Sequence, residues 1–289
     1  MFRKRTKYLI FLIFIGLAVW AFLPMWLTLQ TSFLSAFVLI NPIQALQHAT
    51  LDNWKFLPIH LVLKWFKNSL IVCGTTTILV TFMCAMAGYS FAKYKFLGRD
   101  GLFGLFLLAM VVPSIMIFLP KFLITVNLGM FDSYLGMIAP SLVAPSAVFL
   151  SRQYFMQFPN DLAEVARLDG ASEFQIFRFI IIPLSFPLLA IISLTTFLGV
   201  WGDFMWQFLV TKNVDLYTMV VGLGLFVSSL TSGVAGAQGG GEFLIQGIRQ
   251  INIEGLQAAA ATVLAVPPLV LFVLGQKYFL EGLTVGSVE

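Results

Sequence analysis

Long apolar runs separated by short polar stretches fix the fold class of this chain before any motif is read. Runs near 8–29, 69–92, 102–126, 134–157, 183–210 and 258–281 each supply enough residues to cross a bilayer as a helix, which takes about 20. Apolar residues make up 59% of the 289, and charged residues only 10%. A water-facing domain carries roughly a quarter charged residues, so this chain cannot cover such a surface. The alternating segments of a transmembrane barrel are also missing. The expected architecture is all-α, a polytopic membrane protein with six transmembrane helices in a single domain spanning 1–289.

"MFRKRTKY" at the start resembles the basic region of a signal peptide. The run behind it is too long and lacks a small-residue cleavage pattern, so it is expected to remain as a helix. Residues 216–230, "LYTMVVGLGLFVSSL", are apolar but short for a span, and an interfacial or re-entrant helix is expected there. With six spans, Arg3, Lys4, Arg5, Lys7, Lys93, Lys95, Arg99, Arg152, Arg167, Arg178 and Lys277 share one side. The other side holds the remaining basic residues: Lys55, Lys64, Lys67, Lys121, Lys212 and Arg249. The richer side is the cytoplasm, which places both termini there. Cys73 and Cys84 would lie about 16 Å apart on one helix, too far for a disulfide.

One polar segment interrupts this pattern. "FPNDLAEVARLDGASEFQIFRFIIIP" (158–183) sits within a cytoplasmic loop of about 151–182. Pro159 suits a first turn, and Asn160 and Asp161 suit an exposed helix N-terminus. Leu162, Val165, Ala166, Leu168 and Asp169 would form a short amphipathic helix, with Glu164 and Arg167 off its apolar face. Gly170 is placed to end that helix in a left-handed conformation. Ser172 and Gln175 have capping-box spacing and start a second helix. The pattern fits either a specified corner or an ordinary connector lying on the membrane surface.

The same residues resemble the cytoplasmic loop of permease subunits from binding-protein-dependent ABC importers. That family's pattern is E-A-A, three residues, G, nine residues, I, one residue, L-P. Here it reads Glu164-Val165-Ala166, then Gly170, then Ile180, Ile181 and Ile182-Pro183, with Val165 and Ile182 as the departures. "FKNSLIV" (66–72), "GYSFAKYKFLGRD" (88–100), "MVVPSIMIFLP" (110–120), "GVWGDFMW" (199–206) and "QKYFLEGLTVGSV" (276–288) extend the likeness to the carbohydrate-uptake branch, maltose-type second permeases. The resemblance implies the type I importer permease fold in a bacterial or archaeal inner membrane. It also implies a loop that docks on a separate ATPase, with Glu164, Ala166, Asp169, Gly170 and Ala171 as contact or geometry residues. Implied partners are a second, different permease, two ATP-binding subunits, an extracytoplasmic solute-binding protein, membrane lipid and a sugar, with no nucleic acid.

The chain has no G-x-x-x-x-G-K-[ST] phosphate loop. No cofactor is expected on it; ATP and magnesium would belong to the partner ATPase. His48 and His60 stand alone, no metal site is expected, and no nucleophile–base pair suggests an enzyme. Asp203, flanked by Trp201 and Trp206, is an acid inside an apolar run. It marks either the solute pathway or an interfacial aromatic belt. The family's W-N-D-F reads Trp201-Gly202-Asp203-Phe204 here, without the asparagine. Pro113, Pro140, Pro145, Pro187, Pro267 and Pro268 are expected to interrupt spans. The external loop 211–257 would contact the binding protein or act as a spacer with an interfacial helix at 243–256. The rival reading, a secondary transporter or channel acting alone, lacks intramembrane ionisable groups beyond Asp203. The solute could be an oligosaccharide, a monosaccharide or a polyol phosphate, and with no basic group expected within the spans a neutral sugar is favoured over a phosphate-bearing solute.

Overall fold

The computed structural model describes residues 2–34, 49–231 and 252–284. His48, the glycine-rich stretch 232–251 and most of the expected helix at 243–256 lie outside them. Among the described residues the regular elements are helices, apart from one isolated bridge between Leu34 and Ala49. Three helices are long and apolar enough to cross a membrane: Lys7–Ser32, Ile59–Lys93 and Ile253–Gln276. Three bent pairs raise the number of candidate spans to six.

The chain divides into two compact units. One comprises Met1–Leu63 and Gly222–Val266. It holds α1 (Phe2–Ser32) and the short α2 (Asp52–Lys55). The side chain of Asn53 is buried there and donates to the carbonyls of Ser32 and Leu34 at 3.0 and 2.9 Å. It thereby satisfies an orphan carbonyl at the end of α1. A β-carbon at Gly255 would lie 2.3 Å from Asn53 Nδ2, so only glycine permits this approach.

The second unit comprises Lys64–Val221 and Pro267–Glu289. Its elements run from α3 (Ile59–Lys93), which starts just before the boundary, through α4 (Arg99–Val111) and α5 (Ser114–Asn127). They continue with α6 (Tyr134–Ile138), α7 (Pro145–Met156), α8 (Asp161–Leu168) and α9 (Glu173–Ile176). A π turn over Phe177–Ile181 leads to α10 (Ile182–Leu184), followed by α11 (Phe186–Trp201) and α12 (Phe204–Val210). Two further helices cross the unit boundaries, α13 (Met219–Thr231) and α14 (Ile253–Thr284). α3 and α7 touch through their backbones: a β-carbon at Gly88 would stand 2.2 Å from Ser151 Cβ and 2.8 Å from Arg152 N. Small residues at such crossings permit tight packing where no hydrophobic drive separates helix from lipid.

Prolines account for the bends. Val112 is extended (φ −71°, ψ 120°) before Pro113, as the proline ring demands, and α5 leaves α4 at 106°. Ala144 leaves helical geometry before Pro145, where the bend is 45°. The third bend, 79°, falls at Ser185 between Pro183 and Pro187. The run 102–126 is therefore two helices rather than one. The run 183–210 is also divided, at Ser185 and again at Gly202–Asp203, and the helical stretch leading into it begins upstream at Glu173. Pro267 and Pro268, expected to interrupt the last span, instead lie inside an unbroken α14. Cys73 and Cys84 are free and buried.

Candidate functional site

The polar segment folds into a two-helix corner inside the second unit. α8 starts after Asn160, and the Ala163 and Glu164 amides donate to the Asn160 carbonyl at 3.0 and 3.1 Å. The Asn160 side chain does not cap the helix, contrary to the sequence expectation. Its Oδ1 accepts from Lys93 Nζ at 2.9 Å instead, and the same ammonium donates to the Phe158 carbonyl at 2.5 Å. Asp161 and Glu164 occupy the first turn of α8, where negative charge complements the helix dipole.

α8 ends at a glycine with φ +83°. The Ala171 amide donates to the Ala166 carbonyl (2.9 Å) and the Gly170 amide to the Arg167 carbonyl (3.0 Å). This is the paired Schellman closure, which requires a left-handed residue at Gly170. No atom lies within 4 Å of where a Gly170 β-carbon would stand, so the requirement is on the backbone and not on space. Three of the expected residues, Ala166, Gly170 and Ala171, thus belong to one hydrogen-bonded turn. α9 then opens with both halves of a capping box: the Gln175 amide to Ser172 Oγ, and the Ser172 amide to Gln175 Oε1 at 2.8 Å.

Of the apolar face expected on α8, only Ala166 is buried, and Ala163 joins it. Ala163 and Ala166 pack into the core with Tyr89, Phe155, Ile176 and Phe177. Leu162, Val165 and Leu168 are exposed, Leu168 at 87%. The two alanines face inward, and the larger Leu162, Val165 and Leu168 are left outside. Glu164 and Asp169 are also exposed, and among the described residues neither makes an ion pair within the chain.

A polar staple crosses the corner. Arg167 donates through Nε to Glu173 Oε1 at 2.6 Å and through a terminal nitrogen to Oε2 at 3.2 Å. The Tyr94 hydroxyl donates to the same carboxylate. Burial, and then the bond to Glu173, push the Tyr94 phenol well above its ordinary range, so it stays protonated and donating. Sequence reasoning missed this triad. Arg167 and Glu173 lie on different helices, so helical spacing does not reveal them; the position of Gly170 was the only signal.

The other expected residues lie elsewhere in the second unit. Asp203 caps α12, its Oδ1 accepting from the Trp206 amide at 3.1 Å. Trp206 is buried, and its indole N–H donates to the Gly136 carbonyl at 3.2 Å. Lys121 Nζ sits 3.7 Å from the centroid of that ring, a cation–π geometry within a span, where the sequence reading saw no basic group. Trp201 is buried against Phe197 and Phe66. Asp203 and Trp206 therefore form one constellation with Lys121, and Trp201 belongs to another aromatic cluster.

Residues 78–283 match the profile of the family described as "binding-protein-dependent transport system inner membrane component". The chain is 37% identical over 241 residues to the arabinooligosaccharides transport system permease protein AraQ of Bacillus subtilis strain 168, covering 82% of this chain and 78% of that protein. It is 30% identical over 243 residues to the maltodextrin transport system permease protein MdxG of the same strain, covering 83% and 81%. The fold resembles a chain from the crystal structure of a bacterial ABC transporter involved in the import of the acidic polysaccharide alginate. The TM-score is 0.78 at 20% identity, over 96% of this chain and 98% of that one.

Proposed function

This chain belongs to the family of binding-protein-dependent transport system inner membrane components, and from that membership we propose that it forms half of an oligosaccharide translocation pathway. Its partners are a second, different permease, two ATP-binding subunits and an extracytoplasmic solute-binding protein. Both termini lie in the cytoplasm, as the basic-residue bias favours. The chain binds no nucleotide itself; ATP and magnesium bind the partner ATPase.

Coupling to that ATPase runs through the corner of α8 and α9. The observation that carries this reading is the exposed apolar face Leu162, Val165 and Leu168, flanked by the unpaired Glu164 and Asp169. Among charged neighbours, such a face suits a protein cleft better than lipid. The turn through Ala166, Gly170 and Ala171 fixes the angle between the two helices, so a push on α8 moves the corner as a unit. The names of AraQ and MdxG support oligosaccharides as the solute class. Asp203 and Trp206, with Trp201 nearby in sequence, are our candidates for contact along the pathway.

The test is binding-protein-stimulated ATP hydrolysis by the assembled importer in proteoliposomes. Glu164→Lys and Gly170→Val are expected to abolish stimulation by arabinotriose or maltotriose while the subunits still co-purify. Unchanged stimulation in both variants would refute the coupling role. Stimulation by sn-glycerol 3-phosphate but by neither oligosaccharide would refute the solute class.

A further inference from the structure

We propose that residues 88–94, the end of α3 and the residue that follows it, form a cradle that grips the corner on both flanks and carries its motion into α3. This deepens the coupling reading and rests on it. On the entry flank, Lys93 holds the Phe158 carbonyl and the Asn160 side chain, the two groups that lead into α8. On the exit flank, Tyr94 holds Glu173, the first residue of α9, and Glu173 in turn holds Arg167 of α8. Between the flanks, the Tyr89 ring lies 5.5 Å from those of both Phe155 and Phe177, in the cluster that buries Ala163 and Ala166. Gly88 abuts the backbone of Ser151 and Arg152, which removes slack behind the cradle.

Two routes lead away from the corner. Along the chain, α9 passes into a π turn and then a 79° bend at Ser185, a path that flexes where its hydrogen-bond ladder is interrupted. Across space, the clasps lead into α3, an unbroken helix of 35 residues, a rod about 50 Å long. A displacement of the corner must therefore either break hydrogen bonds to charged groups or take α3 with it. Such bonds are roughly twice as strong as neutral ones, so the stiff route is the second. Lys93 and Tyr94 are positioning residues: they act through α3 and the corner and need touch neither solute nor ATPase.

The experiment compares Lys93→Met/Tyr94→Phe, Lys93→Arg and Gly170→Val in the assembled importer in proteoliposomes. It reads subunit co-purification, binding-protein-stimulated ATP hydrolysis, and maltotriose or arabinotriose imported per ATP. The double variant is expected to keep the ATP-binding subunits bound yet import roughly tenfold less solute per ATP, with Lys93→Arg near the parent. An unchanged import ratio in the double variant overturns the cradle, as does loss of co-purification, which would make the clasps merely structural. If Gly170→Val loses stimulation while the double variant keeps the parent's import ratio, only the cradle fails. If Gly170→Val also keeps the parent's stimulation and import ratio, the coupling reading has failed as well.

Discussion

At the residue scale, Gly170 shows most directly how one side chain's absence shapes the corner. Its β-carbon would meet nothing, so a substitution is penalised solely by the positive φ. Gly170→Ala is expected to cost the turn about 1–2 kcal/mol, and Gly170→Asn clearly less, because asparagine tolerates the left-handed region. Limited proteolysis between residues 161 and 176 checks this. Cleavage of the alanine variant should be roughly fivefold faster or more, with asparagine between alanine and glycine. Equal rates for all three would show that the Schellman turn does not limit opening. The residue scale is also where the sequence was least complete. Gly170 and Ser172 announced their roles, because turn and cap chemistry is local. Lys93, Tyr94 and Glu173 did not, since their partners lie 79 residues away in one case and 65 in another.

At the element scale, the contrast is between faces and lengths. The bounds of α8 and the start of α9 were legible from Pro159, Gly170 and Ser172, each a stop or start signal with a mechanism. Which face of α8 turns inward was not. Hydrophobicity grouped Leu162, Val165, Ala166 and Leu168 on one face, but of these only Ala166 is buried, with Ala163 beside it. The crossing of α3 and α7 has the same logic. At Gly88 the obstacle is backbone, which cannot swing aside, so Gly88→Val should separate the helices. Overpacking of this kind costs typically 1–3 kcal/mol, occasionally more. The expected outcome is a fall of several degrees in the thermal midpoint of the detergent-purified complex, while Gly104→Val, with open space around it, leaves the midpoint nearly unchanged. Matching midpoints would remove the close approach as a determinant of packing.

At the scale of the whole molecule, the arrangement of spans yields a topological prediction. Leu97, in the turn between α3 and α4, is fully exposed, and Lys212, in the turn after α12, is exposed. By the basic-residue bias these turns face opposite sides of the membrane. A cysteine at 97 should react with an impermeant maleimide only in inside-out vesicles, and one at 212 only in right-side-out vesicles. Cys73 and Cys84 are buried and should contribute little background. Labelling of both sites from one side would exclude the six-span topology.

By itself, the sequence determined the class of solvent, the helical architecture, the corner's turn and the capping box that opens α9, and the family. Each of these follows from composition, from spacing along one helix or from a short motif, all of which are local. Only the tertiary structure decided where the bends fall among the six prolines. Val112 before Pro113 breaks its helix, whereas Pro267 and Pro268 do not break α14. Only the tertiary structure showed that Lys121 covers Trp206 and that Lys93 and Tyr94 clasp the corner. Those are meetings between residues far apart in the chain. Their energetics depend on distance and desolvation in three dimensions, and a one-dimensional pattern carries neither.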